Sequence, residues 1–155
     1  MNPAAANSLS GASDVTFLWI QWPFMGMMVL TFVVWVTLYR RRIAFMKAER
    51  IHPQKVPTPD KIAEFIPPEV NNPANNYNHL FELPVLFYAL VLFLIATGMD
   101  DRIDAALAWG FFLGRCAHSF EQCTSNVVMR RFTLFMISSL FVWVMLFRTL
   151  VRLHL

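Results

Sequence analysis

Four long apolar segments constrain what this chain of 155 residues can fold into. No charged side chain occurs from residue 15 to residue 39, a length that exceeds the roughly 20 residues needed to cross the hydrocarbon core of a bilayer. Three further apolar segments cover about 79–98, 103–122 and 132–151. Each segment must be helical, because no other open structure satisfies its backbone hydrogen bonds in lipid. The sequence therefore predicts an all-α integral membrane protein, a four-helix bundle that forms one domain over residues 1–155.

The composition agrees with a membrane environment. Hydrophobic residues make up 57% of the chain and charged residues 15%, so a soluble core of this size cannot hold its apolar surface. The net charge of +3 comes from basic residues concentrated beside the predicted spans. Such a distribution favours anionic lipid headgroups over nucleic acid as the partner of these residues.

The positions of the basic residues predict the orientation. Arg130 and Arg131 lie between the third and fourth spans, and a larger basic group lies in the loop over about 40–78. Cytoplasmic loops carry an excess of Lys and Arg, so both loops should be cytoplasmic and both termini should lie away from the cytoplasm. Arg148 and Arg152 are then expected to extend towards the far membrane interface. The basic loop residues are Arg40, Arg41, Arg42, Lys47, Arg50, Lys55 and Lys61, and the opposite face carries Asp14, Asp100, Asp101 and Asp104.

A first stripe of polar residues opens the second span. Asn75, His79 and Glu82 recur at i, i+4 and i+7, and Asn78 lies about 60° to one side on a helix. A carboxylate just inside a membrane requires a partner, so Glu82 is expected to pair with a cation, bind the amino group of a ligand, or be protonated. Pro84 follows and removes one helix hydrogen bond, which predicts a local kink.

A second stripe lies on the third span. Arg115, His118, Gln122 and Asn126 follow the spacing i, i+3, i+7 and i+11, and Arg130 and Arg131 close the same end. Because the second helix enters from the cytoplasm and the third returns to it, both stripes lie at one membrane depth and are expected to meet.

The residues alone leave three uses of these stripes open. One is a pocket for a small anionic or zwitterionic ligand, open to the cytoplasm. Another is hydrogen bonding between helices, with Glu82 paired to Arg115 or Arg131. The weakest is a metal site with His79, Glu82 and His118, which we do not expect, because sites of this kind use several inward carboxylates and this chain offers one clear candidate.

The same residues resemble a known family. The segment from Asn75 to Tyr88, the Arg115-x-x-His118 motif and the later Arg130-Arg131-Phe132 run are similar to the MAPEG family of membrane-associated proteins in eicosanoid and glutathione metabolism. The resemblance covers all four spans in order and is nearest to the bacterial branch of the family. It implies a homotrimer in the bacterial inner membrane.

The resemblance also implies an activity. Transferase members bind glutathione in a cytoplasm-facing cleft between subunits and act on small lipophilic substrates, and a basic residue steadies the thiolate. Arg131 matches that catalytic arginine, and Arg40 or Arg41 matches an arginine at the end of the first helix. His79 stands where the family has asparagine. The expected glutathione-binding residues are Arg40, Arg41, Asn75, Asn78, His79, Glu82, Arg115, His118, Gln122, Asn126 and Arg130.

The chain also departs from the family pattern. Asn75 and Asn78 replace arginines of eicosanoid-pathway members, Gln122 replaces a tyrosine that stacks on the tripeptide, and Phe132 replaces a serine beside the catalytic arginine. Each lost charged hydrogen bond would cost on the order of 1.5–3 kcal/mol of binding free energy. The alternative function is therefore a non-catalytic trimeric scaffold or binding protein, in which the stripes pack the helices or bind lipid headgroups.

Overall fold

A computed structural model describes the backbone of residues 3–154 and the side chains of residues 19–62 and 64–154. Asp14, one of the acidic residues used to predict the orientation, lies outside the described side chains. The described chain is helical and contains no strand. Its α-helices are α1 (Pro3–Ala48), α2 (Pro59–Phe65), α3 (Pro68–His79), α4 (Leu83–Thr97), α5 (Arg102–Cys123) and α6 (Val128–Leu153), and a short 3-10 helix covers Pro53–Lys55.

Three helical stretches are long and apolar enough to cross a membrane: Trp19–Ala48, Pro68–Thr97 and Val128–Leu153. They cover most of the first and second predicted spans and all of the fourth. The third predicted span forms helix α5 but is not among the three stretches, because charged residues interrupt its apolar sequence. Helix α1 begins 12 residues before and ends nine residues after the predicted apolar limits, and α6 begins four residues before and ends two residues after them.

The second predicted span begins later than the apolar pattern suggests. Helix α3 ends at His79 and α4 begins at Leu83, so the chain breaks where a continuous helix was expected. Pro84 explains the break, because it has no N–H to donate and its ring excludes the carbonyl one turn earlier. At the second position of a new helix the same proline is well tolerated.

The predicted loop over residues 40–78 is largely helical. Helix α1 continues past the first span to Ala48. Thr58 caps α2 by accepting a hydrogen bond from the Lys61 backbone N–H at 3.4 Å. Residues 71–76 lie within helix α3. The loop therefore places a packed polar helix beside α1 and α5.

Helices α5 and α6 run antiparallel in close contact, and α1 packs on α5. Gly114 permits this approach, since a Cβ built on it would lie 2.8 Å from Ser138 Cβ and 3.3 Å from Ser138 Cα. The buried rings of Phe87 and Phe111 pack with centroids 4.7 Å apart and connect α4 to α5. These contacts hold α5 against both α6 and α4.

The start of α5 and the end of α6 are joined by an ionic cluster. Asp101 caps α5, and Asp104 is fully buried behind it. Arg148 Nη2 lies 2.6 Å from Asp101 Oδ2, and Arg152 Nη2 lies 2.7 Å from Asp104 Oδ2. Burial raises the pKa of the Asp101 carboxyl, but the Asp104 N–H and both guanidinium groups outweigh it and hold this pKa below its usual range. Carboxylates at the start of α5 therefore bind both arginines at this end of the helices.

Removing one partner of this cluster should destabilise the fold. In Asp104→Ala, two guanidinium groups lose a buried counter-charge, which should lower the free energy of unfolding by about 3 kcal/mol. Thermal unfolding of the detergent-solubilised protein measures the loss. Asp100→Ala is the matched control, since Asp100 forms no ion pair among the described side chains, and equal losses in the two variants would contradict the assignment.

Candidate functional site

The two polar stripes meet at the end of the helices opposite the ionic cluster. Arg115 Nη2 donates a hydrogen bond to the His79 carbonyl at 3.2 Å. The His79 and His118 rings stand perpendicular, with centroids 6.2 Å apart. Arg41, near the end of α1, donates to the Cys123 carbonyl at the end of α5 at 2.6 Å. Contacts between the stripes are therefore formed as the sequence predicted, and α1 joins them.

The first stripe is not one continuous helical face. Asn75, Asn78 and His79 belong to α3, whereas Glu82 occupies the N-cap position of α4. His79 Nδ1 lies 2.8 Å from Glu82 Oε2, and both side chains are partly exposed. The expectation that Glu82 pairs with Arg115 or Arg131 was wrong, because the break before α4 turns its carboxylate towards His79.

Arg115 is buried and has no carboxylate within ion-pair distance among the described side chains. Its side chain is fully buried, and its Cζ lies 5.6 Å from the centroid of the Phe135 ring. Its Nε and Nη1 have no hydrogen-bond partner, and no described carboxylate forms an ion pair with it. A buried donor without a partner costs about 1–3 kcal/mol, and more for a charged group. Arg115 therefore offers unused donors to an anion.

His118 is held from two sides. Its Nδ1 lies 3.0 Å from the Arg131 carbonyl oxygen, and its Nε2 lies 2.9 Å from Gln122 Oε1. A neutral ring donates from one nitrogen only, so Nδ1–H can donate to the carbonyl while the Gln122 amide turns its NH₂ group towards Nε2. Gln122 is buried, so this side chain fixes His118 and has no exposed face on which a ligand can stack.

Asn126 positions Arg131. The Arg131 Nη1 donates to Asn126 Oδ1 at 2.7 Å, and Asn126 Nδ2 donates to Asn72 Oδ1 at 3.2 Å. Asn126 has a φ of 50°, a left-handed conformation that asparagine accepts more readily than most residues. Arg131 has no ion pair among the described side chains, so its positive charge also lacks a counter-ion.

The sequence analysis did not identify three residues that lie next to the site: Asn72, Asn76 and Glu121. Asn72 and Asn76 are buried, and Ser119 Oγ donates to Asn76 Oδ1 at 3.3 Å. Glu121 accepts from Ser125 Oγ at 2.6 Å and from the Val127 N–H at 3.1 Å, which fixes the turn before α6. The asparagine-rich run from residue 71 to residue 78 was the available signal for the first two, but no local pattern shows which amides face inward.

The remaining candidate residues lie at the surface of this end. Arg40 and Arg41 line a shallow cleft of about 360 Å³ with Thr37 and Ala44. Asn75, Asn78 and Arg130 are exposed, and none makes a side-chain hydrogen bond within the described ranges. Cys116 and Cys123 are free thiols. No group of three potential metal ligands comes together in the part of the chain that the structure describes.

The helices and the buried arginine define a class: a helical membrane protein with a polar, positively charged site at one end. A comparison with protein families gives a match to the MAPEG family over residues 20–151. The chain therefore belongs to the MAPEG family and is an integral membrane protein. Comparisons with curated proteins and with solved structures gave no significant match.

Replacing the buried arginine should not weaken the protein in the absence of ligand. Arg115→Met removes a desolvated charge that makes one hydrogen bond, and methionine fills a similar volume. A buried charge replaced by a packed apolar side chain is often neutral or stabilising by about 1–4 kcal/mol. Thermal unfolding should therefore show an equal or higher midpoint than in the wild type, with the exposed Arg130→Met as the control. A clear fall specific to Arg115→Met would show that Arg115 is structural.

Proposed function

We propose that the protein is a glutathione-dependent transferase that acts on lipophilic electrophiles from a bacterial inner membrane. The proposal rests on one observation: Arg115 and Arg131 lie at the same end of the helices, and neither has a carboxylate partner among the described side chains. Two uncompensated cations beside a membrane interior favour a ligand with acidic groups.

The charges of the site suit a zwitterionic peptide. Glutathione carries two carboxylates, one amino group and a thiol. Arg115 supplies unused donors for a carboxylate, and the partly exposed Glu82 supplies a carboxylate for the amino group. Since Glu82 contacts His79 through Oε2, its Oε1 remains available for a second contact. These features support glutathione over a simple anion.

Arg131 is the residue that we assign to thiol activation. Its Nη1 is fixed by Asn126, and the rest of its guanidinium makes no further side-chain hydrogen bond within the described residues. A positive charge near a thiol favours the thiolate, which is the nucleophile. The Asn72–Asn126 hydrogen bond holds this charge in place without neutralising it.

The electrophile is expected to arrive from the bilayer. Phe132 follows Arg131 directly, and Met129 and Phe120 are strongly exposed at the same end of α5 and α6. Such side chains suit the apolar part of a lipophilic substrate, while the polar thiol remains on the arginine side.

The proposal includes the assembly and the topology. We propose a homotrimer of four-helix subunits, with α5 as the remaining membrane span and both termini away from the cytoplasm. The exposure of Asn75, Asn78 and Arg130 supports a cleft that a neighbouring subunit completes. The basic residues after α1 and before α6 support a cytoplasmic position for this end.

A non-catalytic scaffold is the second candidate. The amide side chains of Asn72 and Asn76 favour it, because they form hydrogen bonds between helices. It is also favoured by the exposed Asn75 and Asn78, which lack the charge of the arginines that they replace. In this alternative the polar cluster holds the trimer together or binds lipid headgroups.

Arg131→Ala should weaken glutathione binding and abolish conjugation. Losing one charged contact worth about 1.5–3 kcal/mol predicts a dissociation constant about 10-fold to 150-fold higher. Isothermal titration in detergent measures the affinity, and the absorbance of the bound thiolate should disappear with it. Arg102→Ala is the matched control, because Arg102 is exposed at the opposite end of the helices and makes no side-chain hydrogen bond or ion pair within the described residues. The transferase proposal fails if the wild type does not bind millimolar glutathione.

Glu82→Gln separates the transferase from the scaffold. Its carboxylate is exposed and pairs only with His79 among the described side chains, so the variant should keep the trimer intact and bind glutathione more weakly. Size-exclusion chromatography in detergent reports the oligomer, and isothermal titration reports the affinity. A dissociated trimer would favour the scaffold instead.

A further inference from the structure

The pair formed by His79 and Glu82 stands out because it joins an imidazole to a carboxylate at the edge of the site. His79 Nδ1 lies 2.8 Å from Glu82 Oε2. A carboxylate at this distance holds Nδ1 in its N–H form, which leaves Nε2 unprotonated in the neutral ring. Carboxylate–imidazole pairs of this kind are the arrangement that general bases use.

The backbone keeps this pair in place. His79 is the last residue of α3, and its carbonyl accepts the Arg115 hydrogen bond. Glu82 follows in the short break before α4, with a φ of −96° and a ψ of −103°, outside the helical region. The break allows Glu82 to turn towards His79 while both remain partly exposed. The side chain of His79 is 39% exposed, so the pair is open to a ligand.

The surroundings of the imidazole suit proton transfer beside an anion. His118 faces the ring edge-on at 6.2 Å, but both of its nitrogens already have partners. Arg115 Nη2 donates a hydrogen bond to the His79 carbonyl, and His118 Nδ1 contacts the Arg131 carbonyl oxygen. Among the described groups of this cluster, His79 is the imidazole with a nitrogen that lacks a partner.

We propose that His79 is the acid–base residue of the transferase and that Glu82 is its positioning residue, and an α,β-unsaturated carbonyl compound serves as the test electrophile. This inference rests on the proposed function. His79 Nε2 accepts the thiol proton, and the sulfur electron pair forms the bond to the β-carbon of an α,β-unsaturated carbonyl compound. The π electrons of the alkene move to give an enolate, which takes the proton back from His79. The thiol has then added across the double bond, and His79 is neutral again.

The test compares His79→Asn with the wild type, using glutathione and a long-chain 2-alkenal in detergent. The two proteins are compared at saturating glutathione, so that any change in affinity is separated from the loss of the base. The turnover number should fall about 100-fold or more, the usual contribution of a general base. His154→Asn is the matched control, because His154 is exposed and lies just beyond α6 at the opposite end.

Rescue distinguishes a base from a structural residue. Added imidazole should restore part of the turnover of His79→Ala in a saturable manner and should leave the wild type unaffected. Loss of turnover without rescue would make His79 structural and overturn the proposal. Wild-type turnover in His79→Asn would overturn the base role while the transferase stands. A wild type that does not conjugate the alkenal overturns the base role, and if it also does not bind glutathione, the transferase proposal fails with it.

Discussion

The buried guanidinium of Arg115 is the constraint on which the site depends. Transferring a charge from water into a helical interior costs several kcal/mol unless polar partners replace the lost hydration. Here the replacement is partial: one carbonyl, an aromatic face and two donors without partners. The break between α3 and α4 contributes the carbonyl, so the break and the buried charge form one arrangement. An anion supplied from outside would complete it.

The arginine side chains at the two ends of α5 differ in their charge partners. At its start, Arg148 and Arg152 of α6 are paired with Asp101 and Asp104, so their charges are compensated within the chain. At its end, Arg115 and Arg131 have amide, carbonyl and aromatic neighbours but no carboxylate within ion-pair distance among the described side chains. The first arrangement clamps two antiparallel helices together. The second maintains a positive potential where the proposed ligand binds, and Asn126 orients that charge without cancelling it.

Hydrophobic length and residue spacing allowed much of this to be predicted. The apolar segments gave α6 to within four residues and the central part of α1, and i, i+3 and i+7 spacing brought His118 and Arg115 to the stripe that meets His79. The family resemblance was confirmed over residues 20–151.

Other features depend on contacts between residues that are distant in sequence. The pairing of Arg152 with Asp104 joins residues 48 positions apart, and nothing local distinguishes it from an arginine that reaches the interface. Gln122 was assigned to the ligand by resemblance, but it is buried and contacts His118 one turn earlier on α5. Pro84 signalled a kink, but no local pattern showed that α3 ends at His79 or that Glu82 turns towards this histidine.

The most direct measurement is the thermal unfolding midpoint of the purified protein with increasing glutathione, in the wild type and in Arg115→Met. A ligand that binds only the folded state raises its stability by RT ln(1 + [L]/Kd), about 2.7 kcal/mol at a hundredfold excess over Kd. The account predicts a concentration-dependent rise in the wild type that is absent from the variant. An unchanged midpoint in the wild type at millimolar glutathione, or an equal rise in both proteins, would contradict it.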